Sequence, residues 1–173
     1  MQALEFWKAV ANDKSNSLER VVGLLEEHDI PYCVIGGQAV NAYVEPLVSL
    51  DLDLAVAIKS LDTVRSIMEA HFPVKDFPHS LNVSPRGSDL RVQFQKKPAY
   101  GDFVTRAKRR SVLGIELPVA RIEDVLQGKI WAAMEETRRS SKRRKDLLDI
   151  ERILESFPGL RSLVPDSILE RLG

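Results

Sequence analysis

Cysteine is nearly missing from this chain: Cys33 is the one example among 173 residues. An intrachain disulfide and a cysteine-based zinc cluster are therefore excluded. Cys33 sits in the apolar run Tyr32-Cys33-Val34-Ile35 and reads as a small buried side chain rather than a nucleophile. Net charge is missing too. The 25 basic residues balance 25 acidic ones, which argues against a protein that holds nucleic acid by bulk charge. No apolar run approaches the ~20 residues needed to cross a bilayer. The opening Met-Gln-Ala-Leu-Glu-Phe-Trp has neither the basic stretch nor the apolar core of a secretion signal, so the expected compartment is the cytoplasm, with no membrane partner. The three histidines, His28, His71 and His79, share no metal-ligand spacing and form no readable Ser-His or Cys-His arrangement.

What is present is an ordinary globular composition, 44% apolar and 29% charged. The length suits one core and is short for two. Leu18, Val21, Val22 and Leu25 follow helical spacing and predict an amphipathic helix over 17–28. Tyr32 to Ile35 reads as a short buried strand, opened by Pro31 and closed by Gly36-Gly37. A helix over 38–43 ends before Glu45-Pro46, and a strand over 49–58 follows. A further helix from Ser60 turns Leu61, Val64, Met68 and Phe72 inward. Strands at 81–83 and 90–94 are joined at Pro85-Arg86-Gly87-Ser88, and 113–119 holds another turn between short strands. The rest is helical: 122–136, 142–156 and a short closing helix after Pro165. Trp131 and Met134 read as packing residues. The order is a mixed α/β core over 1–120 with a helical portion over 121–173 packed on it as one structural unit.

Chemistry concentrates in the strand over 49–58. Its odd positions Ser49, Asp51 and Asp53 share one face, while Leu50, Leu52, Leu54 and Val56 line the other. Two carboxylates about 7 Å apart on one face repel unless something offsets them, and a divalent cation would. Mg²⁺ suits such a pair because it takes few protein carboxylates and fills its shell with water and phosphate oxygens. The simpler alternative is a solvated strand face. Gly36-Gly37, at the junction of a strand and a helix, exposes backbone N–H groups at a positive helix end, where phosphates can sit.

Two basic runs, Arg106 to Arg110 and Arg138 to Lys145, are either solvated surface or anion partners. In the helix over 122–136, Lys129 falls on the stripe of Ile122, Val125, Leu126 and Ala133, where a core residue is expected. Asp146 and Asp149 fall on the stripe of Ile150 and Ile153 in the next helix. A lysine and two aspartates facing inward imply a structural pair between the helices, a phosphate partner held in place, or both.

The succession Val34-Ile35-Gly36-Gly37 and then Asp51-Leu52-Asp53-Leu54, with Ser49 two before the first acid, resembles the signature of the polymerase-β-like nucleotidyltransferases. Together with 119–126, Lys129 and Arg143-Arg144-Lys145-Asp146-Leu147-Leu148-Asp149-Ile150, the chain is most like the AbiEii/AbiGii toxin-type nucleotidyltransferase family. The resemblance implies an α/β (α+β) nucleotidyltransferase fold, a mixed twisted sheet flanked by helices. It further implies that Asp51 and Asp53 ligate Mg²⁺ and are catalytic. Gly36, Gly37, Ser49, Gln93, Lys129 and Lys145 would bind the nucleotide. The reaction would transfer a nucleoside monophosphate from an NTP to an RNA, protein or small-molecule acceptor, with a cognate antitoxin as a partner. Relatives carry a third acid in a pattern such as Arg-Val-Asp, where this chain has Arg91-Val92-Gln93. An amide is a poor metal ligand and no base. Asp89 lies on the same face as Gln93 but about 13 Å away along a strand, and it could serve as the third catalytic acid only through a bulge or another register. A non-catalytic nucleotide-binding protein is therefore the alternative.

Overall fold

The computed structural model describes residues 3–173; Met1 and Gln2, which begin the N-terminal stretch read above, lie outside the described residues. Among the described residues, seven strands form one mixed sheet in the order β3-β4-β5-β2-β1-β7-β6. These are β1 (Tyr32–Ile35), β2 (Asp51–Val56), β3 (Val74–Asp76), β4 (Ser80–Val83), β5 (Arg91–Gln95), β6 (Lys108–Val112) and β7 (Ile115–Val119). The helices are α1 (Ala3–Val10), α2 (Ser17–Glu27), α3 (Gly36–Asn41), α4 (Leu61–Glu69), α5 (Gly101–Arg106), α6 (Ile122–Met134), α7 (Ser140–Ser156) and α8 (Asp166–Leu169). No described helix is long and apolar enough to cross a membrane.

The centre of the sheet is the apolar one. β1 is buried along its whole length, and the even positions Leu52 and Leu54 of β2 and Val92 and Phe94 of β5 exclude solvent completely. β1 runs antiparallel to β2, while β2 runs parallel to β5. That pairing fixes the neighbours of the two acids: Asp51 lies opposite Arg91, and Asp53 lies between Ile35 on one side and Gln93 on the other. Because side chains alternate along a strand, burying the even face forces both aspartates onto the opposite one.

Several boundaries differ from the sequence reading. β2 begins at Asp51 rather than Ser49, and α3 begins at Gly36 rather than Gln38. β3, with one half-buried and two exposed residues, is too short and polar to show a periodicity, and among the described residues it is held by β4 alone. The run Lys108-Arg109-Arg110 forms edge strand β6, where exposed charge blunts pairing with other chains. The turn from β6 to β7 places Leu113 and Gly114 at positive φ, 54° and 88°. Gly114 also packs against the backbone of Leu4, leaving no room for a β-carbon.

Candidate functional site

The strip of chain before β2 is tied down from several sides. The Asn41 amide donates to the Leu47 carbonyl at 2.7 Å and accepts from the Leu47 N–H at 3.0 Å. Gln38 Nε2 donates to the Ser49 carbonyl at 3.1 Å, and Trp7 Nε1 reaches the same oxygen at 3.4 Å. The Ser49 hydroxyl accepts the Asp51 N–H at 3.2 Å, which fixes the entry into β2.

At the junction of β1 and α3, Gly36 adopts φ +67°. A β-carbon here would collide with Asp53 Oδ2 and stand 3.1 Å from Asp53 Cβ. Glycine is therefore required both by the left-handed backbone and by the close approach of the carboxylate. Gly37 has open space where a β-carbon would go and lines the cavity in front of the acids.

That cavity, about 200 Å³, gathers Ser49, Asp51, Asp53, Gln93 and Gln95 on one side and the charged residues of α6 and α7 on the other. Arg91 Nε donates to Asp51 Oδ1 at 2.7 Å, and Gln95 Nε2 donates to Asp53 Oδ1 at 3.2 Å. Burial raises the Asp53 carboxyl above its ordinary value; Lys129 opposes this, and the Asp51 charge reinforces it.

Opposite the acids, Lys129 Nζ lies 2.9 Å from Asp149 Oδ2 and 3.1 Å from Asp146 Oδ1. Burial pulls the Lys129 ammonium down, but Asp149 and Asp146 outweigh it and hold it above its usual value. Arg138 Nε binds Asp146 Oδ2 at 2.7 Å, and Arg152 Nη1 binds Asp149 Oδ1 at 2.7 Å. Arg152 Nη2 also reaches Asn41 Oδ1 at 3.2 Å and the Glu45 carbonyl at 2.6 Å, joining α7 to the strip before β2. The two aspartates thus engage three of the cavity's cations. Lys142 and Lys145 also line it and form no ion pair among the described residues.

Of the residues singled out in the sequence, Gly37, Ser49, Asp51, Asp53, Gln93, Lys129 and Lys145 line this one cavity. Gly36 sits behind Asp53, on an adjoining pocket that also touches Asp53, Gln95 and Lys129. Asp89 does not join them. It is exposed, it precedes β5, and its N–H donates to the Ala11 carbonyl at 2.7 Å. The register from Asp51–Arg91 through Leu54–Phe94 runs without a bulge, so the place opposite Asp53 belongs to Gln93. Gln95 was legible as the next residue on the Arg91 and Gln93 face but was not read. Asn41 and Arg152 were missed because 111 positions of chain separate them.

Among the described residues, no cluster of three or more His, Cys, Asp or Glu side chains could hold a metal ion by itself. The donor set is two half-buried carboxylates on alternate positions, one of them with its carboxyl raised. This fits a Mg²⁺ that arrives with substrate phosphates, not one caged by protein alone.

No protein-family model matches the chain, and no curated protein matches it. Solved structures do. The crystal structure of ANT(2″)-Ia in complex with adenylyl-2″-tobramycin superposes with a TM-score of 0.63 at 12% identity, over 90% of this chain and 97% of that one. The lincosamide antibiotic adenylyltransferase LnuA, lincomycin-bound, gives 0.53 at 11% identity, over 82% and 98%. An antigenic nucleotidyltransferase-like protein from Paracoccidioides brasiliensis gives 0.52 at 16% identity, over 86% and 75%. The sheet that places Asp51 and Asp53 side by side at the start of β2 has the nucleotidyltransferase fold.

Proposed function

We propose that the chain binds a nucleoside triphosphate with Mg²⁺ and transfers its nucleoside monophosphate to an acceptor hydroxyl. The observation that carries this reading is the convergence of Asp51, Asp53, Gly37, Ser49 and the two unpaired lysines, Lys142 and Lys145, on one cavity. Asp51 and Asp53 are the metal ligands and the catalytic acids. Bound there, Mg²⁺ would supply charge neutralisation at the α-phosphate and ease ionisation of the acceptor hydroxyl. Gly36 and Gly37 offer backbone close to the phosphates, Ser49 a hydroxyl, and Gln93 an amide. Lys145 and Lys142 meet the outer phosphates as free cations, whereas Lys129 acts from within its pair of aspartates. The acceptor oxygen bonds to the α-phosphorus, the bond to the bridging oxygen breaks, and pyrophosphate leaves with the electron pair. The acceptor proton passes to water, because Gln93 cannot take it.

The likeness to AbiEii/AbiGii toxin-type enzymes belongs to this reading. With it go a cytoplasmic location, a cognate antitoxin as partner, and a 1–120 core that works as one unit with 121–173. A second reading, a non-catalytic nucleotide-binding protein, is favoured by Gln93 standing opposite Asp53.

Incubation with α-labelled NTPs, Mg²⁺ and RNA, protein and small-molecule acceptors tests the first reading. Label transfer by the wild type and none by Asp51→Ala is the expected result. Mg·NTP binding without transfer by the wild type, with transfer gained in Gln93→Asp, establishes the second instead. Absence of Mg·NTP binding removes both.

A further inference from the structure

The strip Leu47–Ser49 has a second cavity against it. Asn41, Leu47, Val48 and Ser49 line both this cavity and the one that holds the carboxylates. The second measures about 420 Å³, within the roughly 300–1,000 Å³ of small-molecule sites. Phe6, Trp7 and Val10 of α1 and Leu113 of the β6–β7 turn give it an apolar wall. Phe6 and Leu47 remain about half exposed, at 52% and 50%, and Val48 is 70% exposed, so apolar surface faces solvent around the strip. The wall is built rather than loose. Trp7 is buried and bonds the Ser49 carbonyl, and Asn41 pairs with both backbone groups of Leu47.

Charge separates the two cavities. Lys129, Arg138, Lys142, Lys145 and Arg152 all line the first; the only charged residue on the second, among the described residues, is Glu45. In a displacement at the α-phosphorus, attacking oxygen and leaving pyrophosphate stand in line on opposite sides. Pyrophosphate belongs on the side of the cations, so the acceptor comes from the side that lacks them. An acceptor seated against Glu45 and apolar side chains gains nothing from carrying phosphates.

We propose that this second cavity seats the apolar body of the acceptor, an uncharged or amine-bearing small molecule that presents its hydroxyl across Leu47–Ser49 to the nucleotide. This rests on the nucleotidyltransferase reading for the reaction, in which the acceptor oxygen replaces pyrophosphate on the α-phosphorus and its proton goes to water. It does not rest on that reading for the cavity itself.

The test uses N-phenyl-1-naphthylamine, an uncharged aromatic probe whose fluorescence rises in apolar surroundings. Phe6→Asp and Val10→Asp alter partly exposed residues that line only the second cavity, and a native circular-dichroism spectrum checks their folding. The wild type is expected to bind the probe, and each variant to bind it at least tenfold more weakly. Calorimetric Mg·ATP affinity is expected to change less than threefold when the wild type is saturated with probe. Absence of probe binding, or unchanged probe affinity in both variants, overturns the proposal. Competition between probe and Mg·ATP overturns it too, because the cavity then takes the nucleobase. Displacement of the probe by an RNA 20-mer overturns it in favour of an RNA acceptor. Both wild-type competitions need no variant. If the wild type binds probe, the variants lose it and Mg·ATP binds to neither, the nucleotidyltransferase reading falls and the acceptor role with it, while the cavity stands as a binding site.

Discussion

Replacing Gly36 by alanine separates the requirement for glycine at the carboxylate from a general preference for glycine in a tight turn. The backbone at φ +67° costs an L-residue about 1–2 kcal/mol. The added β-carbon also falls on Asp53, where Oδ2 is too close for any contact and Cβ stands 3.1 Å away. Moving a half-buried carboxylate out of the way is a case of overpacking, worth about 1–3 kcal/mol. The expected loss is thus roughly 2–5 kcal/mol. At a urea dependence of about 1–3 kcal/mol per molar, the unfolding midpoint falls by about 0.7 M or more. Gly37 is the internal control: it lies in α3 with open space at the β-carbon position and no positive φ. Gly37→Ala is expected to be neutral or to gain up to about 1 kcal/mol from helix propensity. Urea denaturation followed by circular dichroism measures both variants. A Gly36→Ala protein that unfolds at the wild-type midpoint, or a Gly37→Ala protein that loses as much, refutes the assignment of Gly36 as the residue that makes room for Asp53.

The parts of the site that depend on local periodicity were legible in the sequence. Alternation along a strand put Asp51 and Asp53 on one face, and the structure leaves both facing away from the buried Leu52 and Leu54. Helical spacing turned Lys129, Asp146 and Asp149 inward, and they meet there at 2.9 and 3.1 Å. The parts that depend on which element lies beside which were not legible. Nothing local says that β1 sits between β2 and β7, or that β5 pairs with β2 in parallel so that Gln93 faces Asp53. The bond from Arg152 to Asn41 joins the last long helix to the end of α3, and its partners only become neighbours once the sheet has closed. Helix α1 carried too little pattern in eight residues to be read, yet it supplies Trp7 to the Ser49 carbonyl and the wall of the second cavity. The resemblance supplied the fold and the pattern of a third acid; only the unbroken register shows that Gln93, and not Asp89, lies opposite Asp53.

Asp146→Ala removes the acceptor that Lys129 and Arg138 share at 3.1 and 2.7 Å while leaving Lys129 paired with Asp149 at 2.9 Å, and is expected to cost about 1–3 kcal/mol in urea unfolding. Lys145→Ala, at an exposed residue with no ion pair among the described residues, is expected to change stability by less than about 0.5 kcal/mol while weakening Mg·ATP binding in calorimetry. Mg·ATP is expected to raise the melting temperature of the wild type, by linkage to its binding, and not that of Asp51→Asn. The pH dependence of stability tests Asp53 directly. Its carboxyl is raised in the folded chain from an ordinary value of 3.8, chiefly by burial, so the folded state holds the proton more tightly than the unfolded one. The Asp53 contribution is therefore fully present below the ordinary value and is lost as pH rises through the raised one. Asp53→Asn abolishes that titration. Urea unfolding between pH 3.5 and 7 should show the stability of wild type relative to Asp53→Asn falling as pH rises. A difference that stays flat, or grows with pH, means that Lys129 outweighs burial and that Asp53 is held as an ion even without a cation in front of it.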